Sequence, residues 1–193
     1  MNVYFVRHGE SVANKNKILT SQIDFPLSEK GIQDAVDVRA KLAGISFDRV
    51  YSSDLCRAVQ TAHEALPQME GEPLVDKRLR EFDFGSPTGL SFVEIHEKYG
   101  ELFDRCNAIP DYSPMGGEST EEMEGRIGSF MKDLEKLEGC ENVAVFCHNG
   151  SVVMALRYIL GAKIEKTRIK TKNCGMTVAQ WNGKDWKLLA FNE

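Results

Sequence analysis

The chain has 193 residues, 24 Lys and Arg against 29 Asp and Glu, a formal net charge of −5 and 42% hydrophobic residues. That length and composition fit one domain with an ordinary apolar core, and they exclude a disordered chain, a collagen-like repeat and a small disulfide scaffold. The acidic balance argues against a dedicated nucleic-acid binder, while a few arginines in one pocket still suffice to hold an anion.

Asn2 to Val6, rich in Val, Tyr and Phe, reads as a short buried strand that stops at Arg7-His8-Gly9. The polar stretch from Glu10 to Pro26 is a long loop, of a length that usually serves function. Ser28 caps a helix with Ile32, Ala35, Val36, Leu42 and Ala43 on one face and Gly44 as its stop. Arg49 to Tyr51 gives a second strand. Ser52-Ser53-Asp54 offers caps for a helix to about Ala65, apolar at Leu55, Val59, Ala62 and Leu66. Pro73 to Val75 and Leu79 to Phe84 read as extended. Gly85 to Gly117 is irregular and reads as an insertion over one edge of the core, with one short helix near Phe92 to Tyr99.

Ser119-Thr120-Glu121-Glu122 is a capping box that opens a long helix, with Met123, Ile127, Phe130, Met131, Leu134 and Leu137 inward. Val143 to Cys147 is a buried strand ending at His148-Asn149-Gly150, and a helix follows to Leu160 and stops at Gly161. Met176 to Trp181 and Trp186 to Phe191 alternate about Asn182-Gly183, a hairpin signal. No repeat, linker or low-complexity tract interrupts this order. The pattern predicts an α/β fold: a three-layer α/β/α sandwich with a mixed, mostly parallel sheet. One domain is expected over 1–193, with the insertion at about 85–117 lying over the site.

Ligands of open α/β sheets bind beyond the carboxyl ends of the strands. Arg7-His8-Gly9-Glu10, Ser53 to Arg57 and His148-Asn149-Gly150 all fall there, so two of the four histidines converge with two arginines. Guanidinium forks grip a tetrahedral oxyanion, and Arg57 in the first turn of its helix adds free N–H groups. No third His, Cys or carboxylate stands at metal-ligand spacing, so no metal is expected. The five cysteines form no C-x-x-C pair and read as reduced, mostly buried thiols. Cys147, at the end of an apolar strand, is a disfavoured nucleophile. No run approaches about 18 apolar residues and no secretory leader is evident, so a soluble, cytoplasmic protein without a membrane partner is expected.

Val6-Arg7-His8-Gly9-Glu10-Ser11 with Asn14 is followed by Gln22-x-Asp24-x-Pro26-Leu27-Ser28-x-x-Gly31. Next come Ser52-Ser53-Asp54-Leu55-x-Arg57-Ala58-x-Gln60-Thr61, Leu79-Arg80-Glu81, Gly116-Gly117-Glu118-Ser119 and the strand ending at His148. This colinear set resembles the signatures of the histidine phosphatase superfamily, the phosphoglycerate mutase-like proteins. The resemblance implies that His8 attacks phosphorus, forming a phosphohistidine. It implies a phosphate pocket of Arg7, Asn14, Arg57, His148 and Asn149, Gln22 toward the substrate, Glu81 as the acid on the leaving group, and no cofactor. The chemistry supports these roles: a neutral imidazole is an adequate nucleophile when a backbone carbonyl near Gly9 holds its other nitrogen. Asp83 and Glu10 are rival carboxylates.

Mutases of this family resemble a longer pattern, with Arg-x-Tyr-Gly after the acid glutamate and an arginine pair in the insertion. Here Phe82-Asp83-Phe84-Gly85 follows Glu81, and Arg105 is the insertion's one arginine. Hydrolysis of a small phosphorylated metabolite is therefore expected over mutase-type transfer, a protein phosphatase or a non-catalytic binding module. Selection of the leaving group falls to Lys15 to Phe25 and Gly85 to Gly117, where Phe25, Phe84, Phe92, Ile95 and Tyr112 form an apolar wall or ordinary core. The substrate and the oligomeric state stay open.

Overall fold

The computed structural model describes residues 1–162 and 169–193. Its sheet grows from two buried parallel strands, β1 (Asn2–Arg7) and β4 (Asn142–Cys147), in register from Asn2 opposite Asn142 to Arg7 opposite Cys147. β2 (Arg49–Ser52) lies parallel to β4 and β3 (Leu74–Val75) parallel to β2. β5 (Met176–Trp181) runs antiparallel to β1, and β6 (Trp186–Ala190) closes the order β3-β2-β4-β1-β5-β6. The sheet is mixed and mostly parallel.

Alternation along the central strands builds the two outer layers. Val3, Phe5, Val143, Val145 and Cys147 face a core shared with α5 (Thr120–Leu134) and α6 (Asn149–Leu160). Val6, Ala144 and Phe146 face the opposite core, under α2 (Glu29–Leu42) and α3 (Cys56–Ala65). The expected α/β/α sandwich is present, and so are the Ser119–Glu122 capping box and the Asn182–Gly183 hairpin.

Four local expectations are corrected. α2 turns Gly31, Ala35, Val38 and Leu42 inward, leaving Ile32 43% exposed, Val36 half-buried and Ala43 exposed. The cause is close contact: a Cβ on Gly31 would overlap the Glu10 carbonyl, and one on Gly9 the Gly31 carbonyl. Leu79 to Phe84 is not a strand but a 3-10 turn (Lys77–Leu79) followed by irregular chain. Side chains take up its carbonyls: Ser151 Oγ donates to Leu79 at 2.8 Å, and Arg126 Nη1 to Arg78 and Arg80 at 2.6 and 2.7 Å.

The insertion helix, α4 (Phe92–Ala108), runs past Tyr99, because the chain re-enters a helix after a kink at Gly100 (φ 42°, ψ −120°). Ser52-Ser53-Asp54 does not cap α3 through a side chain: Leu55 is the cap residue, and Asp24 Oδ1 from the loop accepts the Cys56 N–H at 2.7 Å. The same loop hides a single helical turn, α1 (Val12–Lys15), with a Ser11–Asn14 capping box.

Candidate active site

Parallel register brings the two histidines together. His8 leaves β1 and His148 leaves β4 at adjacent ends, the His8 N–H donates to the Cys147 carbonyl at 2.9 Å, and the ring centroids lie 5.1 Å apart. The His8 Nδ1–H donates to the Gly9 carbonyl at 2.7 Å, which fixes the tautomer and leaves the Nε2 lone pair free. Burial first, then Arg57 and Arg7, push the His8 pKa well below its usual 6.5. Burial and Arg57 push His148 the same way. Both imidazoles are therefore neutral at pH 7, the form a nucleophile requires.

Arg57 is fully buried in the first turn of α3, its Nη1 and Nη2 donating to the Ile23 and Ser21 carbonyls at 2.9 Å each. Arg7 Nη1 donates to the Thr171 carbonyl. Burial draws both guanidinium pKa values down. Neither Nε, nor either ring nitrogen of His148, has a hydrogen-bond partner among the described residues. An unsatisfied buried polar atom costs about 1–3 kcal/mol. All four belong to side chains at or beyond the carboxyl ends of β1, β2 and β4.

Glu81 is placed by backbone. Its Oε1 accepts the Phe82 N–H at 2.9 Å and the Gly150 N–H at 3.0 Å. A Cβ at position 150 would collide with that oxygen, so glycine is what lets the carboxyl seat on the first turn of α6. Arg126 Nη2 donates to the Glu81 carbonyl at 3.1 Å and to Glu118 Oε2 at 2.8 Å, tying the strip to the Gly116-Gly117-Glu118-Ser119 motif.

A cavity of about 390 Å³ opens here, walled by Arg7, His8, Asn14, Arg57, Glu81 and Asn149 among others. Phe84, Phe92 and Phe103 supply its apolar side. His148 is fully buried beside His8. Three expected residues do not reach it. Gln22 instead donates through Nε2 to the Glu81 carbonyl at 3.2 Å, so it steadies the acid's backbone. Asp83 is exposed, with Oδ1 accepting the Gly85 N–H at 2.9 Å, and Glu10 accepts from Ser28 Oγ at 2.7 Å. Cys147 is fully buried and its thiol pKa is pushed up by desolvation, which removes it as a nucleophile. Of the apolar residues expected as a wall or core, Tyr112 and Ile95 are core. A larger hollow of about 520 Å³ at the opposite end of β2, lined by Asp48, Glu70 and Glu72, gathers no such cluster.

Sequence reasoning missed Thr61, Thr171 and Asn173. Thr61 Oγ1 accepts the Gly9 N–H at 3.0 Å and donates to the Arg57 carbonyl at 2.6 Å, joining the two halves of the site. Thr171 donates through N and Oγ1 to Asn149 Oδ1, each at 3.0 Å, while its carbonyl holds Arg7. Asn173 Nδ2 donates to the His8 carbonyl at 3.0 Å. Thr61 sits in the second motif and was in plain view. Thr171 and Asn173 carry no local signal.

The histidines set a pH dependence of stability. In the unfolded chain they take up protons near pH 6.5; in the fold both pKa values lie well below that. Protons are then bound by the unfolded state first, so stability falls as pH drops below 6.5, at roughly 1.4 kcal/mol per pH unit for each histidine. Carboxylates held low by ion pairs, such as Asp54, add a loss only below their usual value of 3.8. Denaturant unfolding between pH 7.5 and 5 should show the histidine slope; a flat profile would mean that the imidazoles take up protons as readily in the fold as in the unfolded chain.

The model of the histidine phosphatase superfamily (branch 1) matches residues 3–193. The chain is 38% identical over 137 residues to the fructose-2,6-bisphosphatase TIGAR of Xenopus tropicalis, covering 68% of this chain and 49% of that one. It is 26% identical over 166 residues to the adenosylcobalamin/alpha-ribazole phosphatase of Escherichia coli (strain K12), covering 86% and 82%. The solved mycobacterial glucosyl-3-phosphoglycerate phosphatase in complex with VO3 shares the fold, with a TM-score of 0.89 at 24% identity, over 99% of this chain and 98% of that one.

Proposed function

The chain belongs to the histidine phosphatase superfamily, branch 1, and on that premise we propose that it is a metal-independent phosphomonoesterase working through a phosphohistidine on a small phosphorylated metabolite. The observation that carries this reading is the neutral His8 on a cavity wall shared with Arg7 and Arg57, whose Nε atoms have no partner among the described residues. Relatives that act as a fructose-2,6-bisphosphatase and an alpha-ribazole phosphatase support a small metabolite as substrate.

The phosphoryl group enters with its oxygens toward Arg7, Arg57, Asn14, Asn149 and His148. Positioning and charge stabilisation of this kind account for most of phosphoryl-transfer catalysis. His8 Nε2 attacks phosphorus as the ester oxygen departs with a proton from Glu81. Water, giving its proton to Glu81, then cleaves the phosphohistidine, and phosphate leaves. The arginines supply the positive charge.

No helix among the described residues is long and apolar enough to cross a membrane. All five cysteines are free, which fits the reducing cytoplasm. A panel of phosphomonoesters assayed with and without EDTA tests the function: release of phosphate that survives chelation is expected. Activity lost to EDTA and restored by a divalent ion would overturn it. With phosphoglycerate, isomerisation outpacing phosphate release would replace hydrolysis by mutase chemistry.

A further inference from the structure

Thr171 is fully buried, and every polar group it has is spent on a side chain of the cavity wall. Its N–H and its Oγ1 each donate to Asn149 Oδ1 at 3.0 Å, and its carbonyl accepts from Arg7 Nη1. Arg7 and Asn149 both line the cavity. A threonine hydroxyl ordinarily finds a partner in nearby backbone. This one reaches a side chain 22 residues away.

The chain around Thr171 is stitched to the end of β1. The Cys174 N–H donates to the Arg7 carbonyl at 3.1 Å, the Arg7 N–H to the Gly175 carbonyl at 3.1 Å, and Asn173 Nδ2 to the His8 carbonyl at 3.0 Å. Asn192 Oδ1 accepts the Lys172 N–H at 2.8 Å, and a Cβ at position 175 would collide with that oxygen. Thr171 thus belongs to the framework that carries His8. Its effect on Asn149 is one of orientation. A backbone N–H can only donate, so the amide oxygen of Asn149 must face Thr171; turned over, the amide would set its NH₂ against that N–H. The edge left for the cavity is the NH₂, which offers hydrogens and no lone pair.

We propose that Thr171 is a positioning residue for phosphoryl transfer: its N–H and hydroxyl hold the Asn149 amide with the NH₂ turned to the cavity, as a donor to the phosphoryl oxygens. The inference rests on the cavity being the hydrolytic site. Thr171 acts through Asn149 and not on the substrate itself. A donor fixed in advance needs no reorganisation as charge builds on those oxygens, whereas an amide free to turn would also present its own oxygen to the anion.

A double-mutant cycle tests this, read as orthovanadate affinity by calorimetry and as kcat/KM on p-nitrophenyl phosphate. Thr171→Val keeps the shape and removes the hydroxyl donor; a loss of roughly fivefold is expected in both readouts, the scale of one hydrogen bond. Thr171→Ser restores the donor and should recover most of that loss. With Asn149→Ala already in place, Thr171→Val should cost less than about twofold, because the residue it acts through is gone. Asn149→Asp should lose more than Asn149→Ala, since it keeps the bonds to Thr171 and sets a carboxylate oxygen where the NH₂ stands. A Thr171→Val loss undiminished beside Asn149→Ala, as a general weakening of the fold would give, overturns the positioning role. So does a serine variant no better than the valine, or an Asn149→Asp loss no larger than that of Asn149→Ala. Absence of turnover on every phosphomonoester would overturn the hydrolase reading instead, and leaves the vanadate cycle standing.

Discussion

His8→Ala should lower kcat/KM by on the order of 10⁴-fold or more, the scale seen when an enzyme loses its nucleophile. Nothing nearby replaces it. His148 is fully buried, and the Cys147 thiol is buried with a raised pKa. Binding should survive better than turnover, because Arg7 and Arg57 are untouched; vanadate inhibition or phosphate binding measures that separately. Labelled substrate quenched at alkaline pH, where phosphohistidine persists, should mark His8 in the native protein and nothing in the variant. Label on Cys147 or Ser53 would reassign the nucleophile. Because His8 is 4% exposed, its loss leaves a small cavity, so the unfolding transition of the variant must be shown to remain cooperative.

The site residues legible in the sequence are those at strand ends. Short buried apolar runs locate β1 and β4, and parallel pairing of such runs puts His8 beside His148. What was misread depends on contacts between distant segments. Leu79 to Phe84 has strand-like composition, yet its carbonyls are taken by Ser151 and Arg126. The face of α2 follows from the Gly9–Gly31 approach rather than from its apolar spacing. Asp24 caps a helix that starts 32 residues later, which no local motif announces. Gln22 belongs to a signature block and still turns away from the cavity, to hold Glu81 by its backbone.

Glu81→Gln should discriminate between leaving groups. An alkoxide is a poor leaving group, so transfer from an alkyl phosphate to His8 needs a proton from Glu81, a contribution of about 10²–10⁴-fold. Nitrophenolate departs without help. Single-turnover phosphoenzyme formation should therefore slow by that factor with an alkyl phosphate and by far less with p-nitrophenyl phosphate; steady-state rates would mix in the second step, where Glu81 acts as base. Gly150→Ala supplies an independent route to the same end, because its Cβ displaces the Glu81 carboxyl while leaving its chemistry intact. It should reproduce the leaving-group contrast in weaker form. Asp83→Asn should show no contrast, since Asp83 is exposed and bonded to the Gly85 N–H, outside the cavity. Equal losses on both substrates for Glu81→Gln, with a selective loss for Asp83→Asn, would move the acid role to Asp83. Loss on both substrates for Gly150→Ala alone would instead mean that the turn at position 150 holds His148 and Asn149, and not only Glu81.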